Sequence, residues 1–67
     1  MKKFSLNGQK YLTLYSLTLF ELLIYFNYNQ SLLVIEYNSL ICNQEDWDKI
    51  MIQNNDKIEI ITIVGGG

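Results

Sequence analysis

The sequence predicts an α+β fold, a mixed sheet with one main helix packed on one face. Three observations carry this. Hydrophobic alternation with period two opens the chain (Lys2–Leu6) and returns near its end (Lys57–Val64). Between them the period changes to 3.6, with Leu19, Leu22, Leu23 and Phe26 at i, i+3, i+4 and i+7. Asn7-Gly8 separates the first alternating run from a second, a strong hairpin signal because a type I′ turn needs φ > 0 at both central residues.

Each element follows from local chemistry. In the first strand, Phe4 and Leu6 share one face while Lys3 and Ser5 share the other. The returning strand is expected over Lys10 to Tyr15, with Leu12 and Leu14 opposite to Tyr11, Thr13 and Tyr15. Thr18 and Glu21 have the spacing of a capping box, in which the Thr hydroxyl takes the Glu N–H and the Glu carboxylate reaches back. A helix is therefore expected from Thr18 to Asn27, ended by Asn27 and Asn29, which tolerate left-handed geometry.

Leu32 to Tyr37 is a compact apolar run with β-branched Val34 and Ile35, expected as a strand inside the sheet and covered on one face. Leu40-Ile41-Cys42 is a short further piece. Asn43 to Trp47 reads as a loop entering a single helical turn, and Asn54-Asn55-Asp56 as a turn. Lys57 to Val64 is the last strand. This order, β-β-α-β, a short excursion, then β, is the β-grasp arrangement, with the final strand lying beside the first. The folded body is expected over residues 1–64, and Gly65-Gly66-Gly67 as a flexible tail.

Composition narrows the function. Sixty-seven residues form one domain at most, and such a chain buries only about 60% of its unfolded surface. There is no room for a cleft between subdomains, which favours a binding module, carrier or subunit over an enzyme. The chain is 49% hydrophobic and 18% charged, with a net charge of −2, so it lacks the basic footprint of a nucleic-acid binder. There is no His, the commonest general base and metal ligand, and no Arg, the usual phosphate clamp. A single Cys makes no internal disulfide, which suits a reducing compartment. Lys2 and Lys3 precede apolar sequence, but Asn7, Gly8, Gln9 and Lys10 interrupt any signal-like core. Tyr11 to Phe26 is too short to span a bilayer and contains Glu21, so no membrane partner is expected.

The remaining polar groups each have a structural explanation. Glu45, Asp46 and Asp48 beside Trp47 suit the start of a solvated helical turn better than a metal site, because all three lie on one turn without further ligands. Cys42 has no His or Lys partner to activate it and is expected to be a small buried apolar residue. Trp47 is expected to plug the far end of the core. Exposed tyrosines among Tyr11, Tyr15, Tyr25, Tyr28 and Tyr37 are candidates for a partner interface.

The glycine tail admits two readings. It is either an inert, frayed end or a thin extended arm carrying a reactive carboxylate. An α-carboxyl group has a pKa of about 3.5 and is a poor electrophile when ionised, so it would need activation, for which ATP can supply an acyl adenylate. Residues without Cβ would let such an arm enter a narrow active site, and three of them reach about 10 Å.

The β-grasp order and Gly-Gly end resemble the ubiquitin-like sulfur carriers, and among them the ThiS family of thiamine biosynthesis. The residues that carry the resemblance are Asn7-Gly8-Gln9, Thr18 to Leu23, Val34 to Asn38 before Ile41, Trp47, and above all Asn55 to Gly67. It spans essentially the whole chain and departs at Asn43-Gln44, where the family often has Pro-Arg. The resemblance implies a carrier, not an enzyme, with no cofactor of its own. An E1-like adenylating partner (ThiF type) would use ATP to activate Gly67, with Gly65 and Gly66 threading its active site. Sulfur would come from a cysteine persulfide on a cysteine desulfurase, and the Gly67 thiocarboxylate would pass it to a thiazole synthase (ThiG type). The small subunit of molybdopterin synthase shares the fold and tail, and an interaction module with an inert tail is the alternative from another class. Abundant Ile, Asn, Lys and Tyr, with no Ala, Arg, His or Pro, suggests an AT-rich genome. A bacterial cytoplasm or a plastid stroma fits that composition.

Overall fold

The computed structural model describes residues 1–63. The expectations for Val64, Gly65, Gly66 and Gly67, including the boundary between body and tail, lie outside the described residues. The strands are β1 (Lys2–Leu6), β2 (Gln9–Thr13), β3 (Leu33–Tyr37), β4 (Leu40–Cys42) and β5 (Lys57–Thr62), and the helix is α1 (Leu19–Tyr25). Single 3₁₀ turns occupy Gln30–Leu32 and Gln44–Asp46. The strands form one mixed sheet in the order β2-β1-β5-β3-β4. β1 and β5 are parallel and every other neighbouring pair is antiparallel. The last strand thus lies beside the first and occupies the middle of the sheet, as the β-grasp order requires.

Local signals account for most of the elements. Asn7 (φ 50°) and Gly8 (φ 83°) both take the left-handed conformation that the β1–β2 turn demands. Asn38 (φ 51°) and Ser39 (φ 74°) repeat the device between β3 and β4. The capping box on α1 is complete, with Glu21 N–H donating to Thr18 Oγ1 and Thr18 N–H to Glu21 Oε1. Two further amide donors at the helix start find loop carbonyls: Leu19 N–H donates to Ile50 O and Phe20 N–H to Trp47 O, each at 3.0 Å. The loop after β4 is therefore fastened to the helix by the donors that a helix start leaves open.

Three elements have ends that differ from those expected. β2 begins at Gln9 and ends at Thr13 rather than spanning Lys10 to Tyr15, because the Thr13 hydroxyl bonds the backbone of Tyr15 and draws the chain out of the ladder. α1 stops at Tyr25 with Phe26 as its C-cap, and Asn27 (φ 60°) leaves the helix. β3 starts at Leu33 because the Asn29 side chain caps a 3₁₀ turn through Ser31 N–H and holds Leu32 within it. β5 is assigned through Thr62, and its expected end at Val64 lies outside the described residues.

The core consists of Phe4, Leu6, Leu19, Leu22, Leu23, Ile35, Trp47, Ile52, Ile58 and Ile60. The expected helical stripe is buried at Leu19, Leu22 and Leu23, with Phe26 packed against its end. Trp47 is deep in the core, as expected, although its indole Nε1 has no partner among the described residues. Cys42 is half-buried against the core rather than enclosed by it. No helix among the described residues is long and apolar enough to cross a membrane.

Candidate functional site

The expected functional residues follow β5, so the site begins with how that strand is held. Ile58 and Ile60 point into the core while Glu59 and Ile61 face outward. β1 ends at Leu6 and turns away, leaving later groups of β5 without a ladder on that side. Asn7 replaces it: its N–H donates to Ile58 O at 2.9 Å, and its side-chain Oδ1 accepts Ile60 N–H at 2.8 Å. On the other side β3 pairs with β5 through Leu33↔Thr62, and Ile63 N–H continues to Leu32 O at 2.8 Å. The chain is held by main-chain bonds up to Ile63. The four residues beyond can reach at most about 14 Å.

A buried polar cluster fixes the other end of the strand. Asp56 is only 7% exposed. Its carboxylate accepts the Tyr37 hydroxyl, Gln53 N–H at 2.6 Å and Asn38 Nδ2 at 3.1 Å. Every donor is neutral, so hydrogen bonds rather than an ion pair compensate the burial. Burial first, then the bond to Asp56 and its charge, push the Tyr37 hydroxyl well above the ordinary tyrosine value. It stays a neutral donor. Asn38 also clasps Lys57 from both sides, donating its N–H to Lys57 O (2.8 Å) and accepting Lys57 N–H at Oδ1 (2.7 Å).

The face of the sheet away from α1 is amphipathic near the end of β5. Val34 lies opposite Ile61, and Glu36 lies opposite both Glu59 and Ile41. Ile41, Ile61 and Ile63 are exposed. Glu36 and Glu59 face each other directly, a like-charge pairing that costs stability. Glu59 offsets part of that with a 3.4 Å pair to Lys57 at the surface. An apolar row beside two opposed carboxylates suits a partner with apolar and basic groups.

The other candidates have no comparable setting. Asp46 is half-buried while Glu45 and Asp48 are exposed. Among the described residues no group of three or more His, Cys, Asp or Glu is placed to hold a metal ion. Burial, followed by the nearby Asp46 carboxylate, raises the Cys42 thiol pKa, the wrong direction for a nucleophile. Gly65, Gly66 and Gly67 lie outside the described residues. The Asn7 bridge and the Asp56 cluster lie beyond what the sequence pattern reveals. The short polar residues at Asn7, Asn38 and Asp56 are a visible signal, but turn chemistry alone accounts for them in the sequence.

A β-grasp body that holds its last strand in mid-sheet, beside an amphipathic face, is a ubiquitin-like body. The ThiS family model matches residues 5–67, and the chain belongs to the ThiS family. The ycf40 protein of Trieres chinensis is 62% identical over 66 residues, covering 98% of this chain and 90% of that protein. The ycf40 protein of Porphyra purpurea is 39% identical over 62 residues, covering 92% and 87%. Among solved structures, the thiamine biosynthesis protein ThiS from Geobacter metallireducens matches with a TM-score of 0.82 and 25% identity, covering 97% of this chain and 99% of that one.

Proposed function

We propose that this protein carries sulfur for the thiazole ring of thiamine as a thiocarboxylate on Gly67. The observation that supports this most is the family match, which runs through residue 67 and so includes the glycines beyond the anchored strand. In this reading an E1-like enzyme couples the Gly67 carboxylate to ATP, giving an acyl adenylate and pyrophosphate. The terminal sulfur of a persulfide, formed by a cysteine desulfurase, displaces AMP and leaves an acyl disulfide. A thiol then attacks that disulfide at the enzyme's sulfur, freeing the Gly67 thiocarboxylate and leaving the attacking thiol and the enzyme cysteine joined in a new disulfide, which a second thiol reduces. A thiazole synthase takes the sulfur.

The chain itself is the cargo-bearing substrate of its partners. With no His and no Arg, it relies on those enzymes for acid, base and phosphate-binding groups. Its own part is positional. The Asn7 and Leu32 bonds hold the strand up to Ile63, and the face bearing Ile61, Ile63, Glu36 and Glu59 is suited to docking. A bound thiocarboxylate travels only where that face docks, unlike diffusible sulfide. The ycf40 designation of the algal relatives belongs to plastid genomes, which favours the plastid stroma as its location.

One added residue after Gly67 tests the role of the tail. It displaces the activated carboxylate and gives it a side chain. ATP–pyrophosphate exchange by the adenylating partner is expected to be lost, with the melting temperature unchanged. Normal exchange by the extended chain contradicts the proposal.

A further inference from the structure

The edge of the sheet farthest from β4 is a strand with free hydrogen-bonding groups. β2 pairs with β1 through Leu6↔Gln9, Ser5↔Lys10, Phe4↔Tyr11 and Lys3↔Leu12. In an antiparallel ladder the bonded and non-bonded pairs alternate. Ser5 N–H donates to Asp56 O at 2.9 Å, and Lys3 N–H donates to Asn54 Oδ1 at 2.8 Å, both on the β5 side. Ser5↔Lys10 and Lys3↔Leu12 are therefore the non-bonded pairs. The main-chain N–H and C=O of Lys10 and Leu12 must point away from the sheet, where no partner meets them among the described residues.

Beside this edge runs an apolar groove of about 390 Å³ between β2, the following loop and the end of α1. Tyr11, Leu14, Tyr15, Leu17, Tyr25 and Phe26 are among its lining, and no charged side chain is. Tyr15 and Tyr25 are 75% and 76% exposed, and Leu14 is 72% exposed. The two tyrosines and Leu14 thus give the groove an exposed aromatic and aliphatic rim.

We propose that the β2 edge pairs antiparallel with the β2 edge of a second copy, about a two-fold axis at Tyr11, joining two five-stranded sheets into one. Two observations select a second copy. First, the outward groups sit at Lys10 and Leu12, symmetrically about Tyr11. A two-fold there makes Lys10↔Leu12 of the other copy a bonded pair twice over and sets Lys10 against an apolar residue rather than another Lys. Second, the groove beside the edge is lined by no charged side chain, so two copies of net charge −2 bring no carboxylates together there, and the two Lys10 side chains on the other face are diagonal rather than direct neighbours. The apolar patch is smaller than the roughly 800 Å² per partner of a stable complex, so the association is weak and depends on concentration.

The pairing leaves the sulfur-carrying end free. Tyr11 lies opposite Phe4, which is level with Asp56 on β5 because Ser5 is level with Lys57. Ile63 is seven residues further along β5, about 23 Å away, beyond the reach of the remaining four residues. The inference thus stands apart from the tail's chemistry.

Sedimentation of the purified full chain between about 10 µM and 1 mM tests it. The average mass is expected to rise from 7.9 kDa toward twice that value. Leu12→Lys sets like charges across the axis and is expected to weaken association roughly tenfold, since symmetry counts each pair twice. Adding Lys10→Glu to Leu12→Lys restores opposite charges and is expected to recover it. Circular dichroism checks that each variant is folded. A monomer mass throughout the range overturns the proposal, as does a double variant that associates no better than Leu12→Lys alone.

Discussion

The side-chain oxygen of Asn7 accepts the amide of Ile60, 53 residues away, at 2.8 Å. It does so where β1 has already turned into its hairpin, so one Asn serves both the turn and the neighbouring strand. Asn7→Gly keeps the left-handed backbone (φ 50°) and removes only the acceptor. Leaving the Ile60 amide unpaired is expected to cost about 1–3 kcal/mol. Chemical denaturation measures the loss, and hydrogen exchange should show the Ile60 amide losing protection. Asn7→Asp retains an acceptor and is expected to stay much closer to the parent.

The hydroxyl of Tyr37 is one of three donors to the buried Asp56 carboxylate. Tyr37→Phe leaves that carboxylate one donor short and is expected to cost about 1.5–3 kcal/mol at neutral pH. The folded state raises the Tyr37 pKa above its ordinary 10.0. Its contribution is therefore complete below about pH 10 and is lost as pH climbs from there through the raised folded value. Stability measured against pH should fall in that alkaline window for the parent and fall less for Tyr37→Phe.

Glu36 and Glu59 oppose each other on the exposed face. If their purpose is docking, neutralising one helps the body and harms the complex. Glu36→Gln is expected to raise stability by a few tenths of a kcal/mol. It should weaken binding to the adenylating partner and flatten the dependence of that binding on salt. Isothermal titration at two ionic strengths reads both effects.

Thr18 closes the capping box on α1. Thr18→Ala is expected to cost about 0.5–2 kcal/mol by thermal unfolding. Binding to the adenylating partner should be unchanged, because Thr18 does not belong to the docking face.

The legible parts of this fold are those set by neighbours in sequence. Asn7-Gly8 announced the first hairpin, Thr18 and Glu21 the helix start, and alternating Ile58 and Ile60 the last strand. Where a side chain competes with the backbone a few residues away, boundaries moved: Thr13 ended β2 early and Asn29 delayed β3. Bonds between distant residues left no pattern to read. Asp56 looked like an ordinary turn residue because its partners Tyr37 and Asn38 come from another strand end, and the bond from Asn7 to Ile60 spans most of the chain. The open edge at Lys10 and Leu12 required the register of β1 between its two neighbours. The tail was legible as chemistry, from three glycines and a carboxylate, but it lies outside the described residues.

Sulfur loading would change a single atom at the end of the chain, and intact-mass spectrometry reads that change. The protein would be incubated with its adenylating partner, ATP, a cysteine desulfurase, cysteine and a thiol reductant. One oxygen is expected to be replaced by sulfur, with fragmentation placing the change on Gly67 and nowhere else. An unchanged mass in the presence of an active partner set, or sulfur found on Cys42 instead, would contradict it.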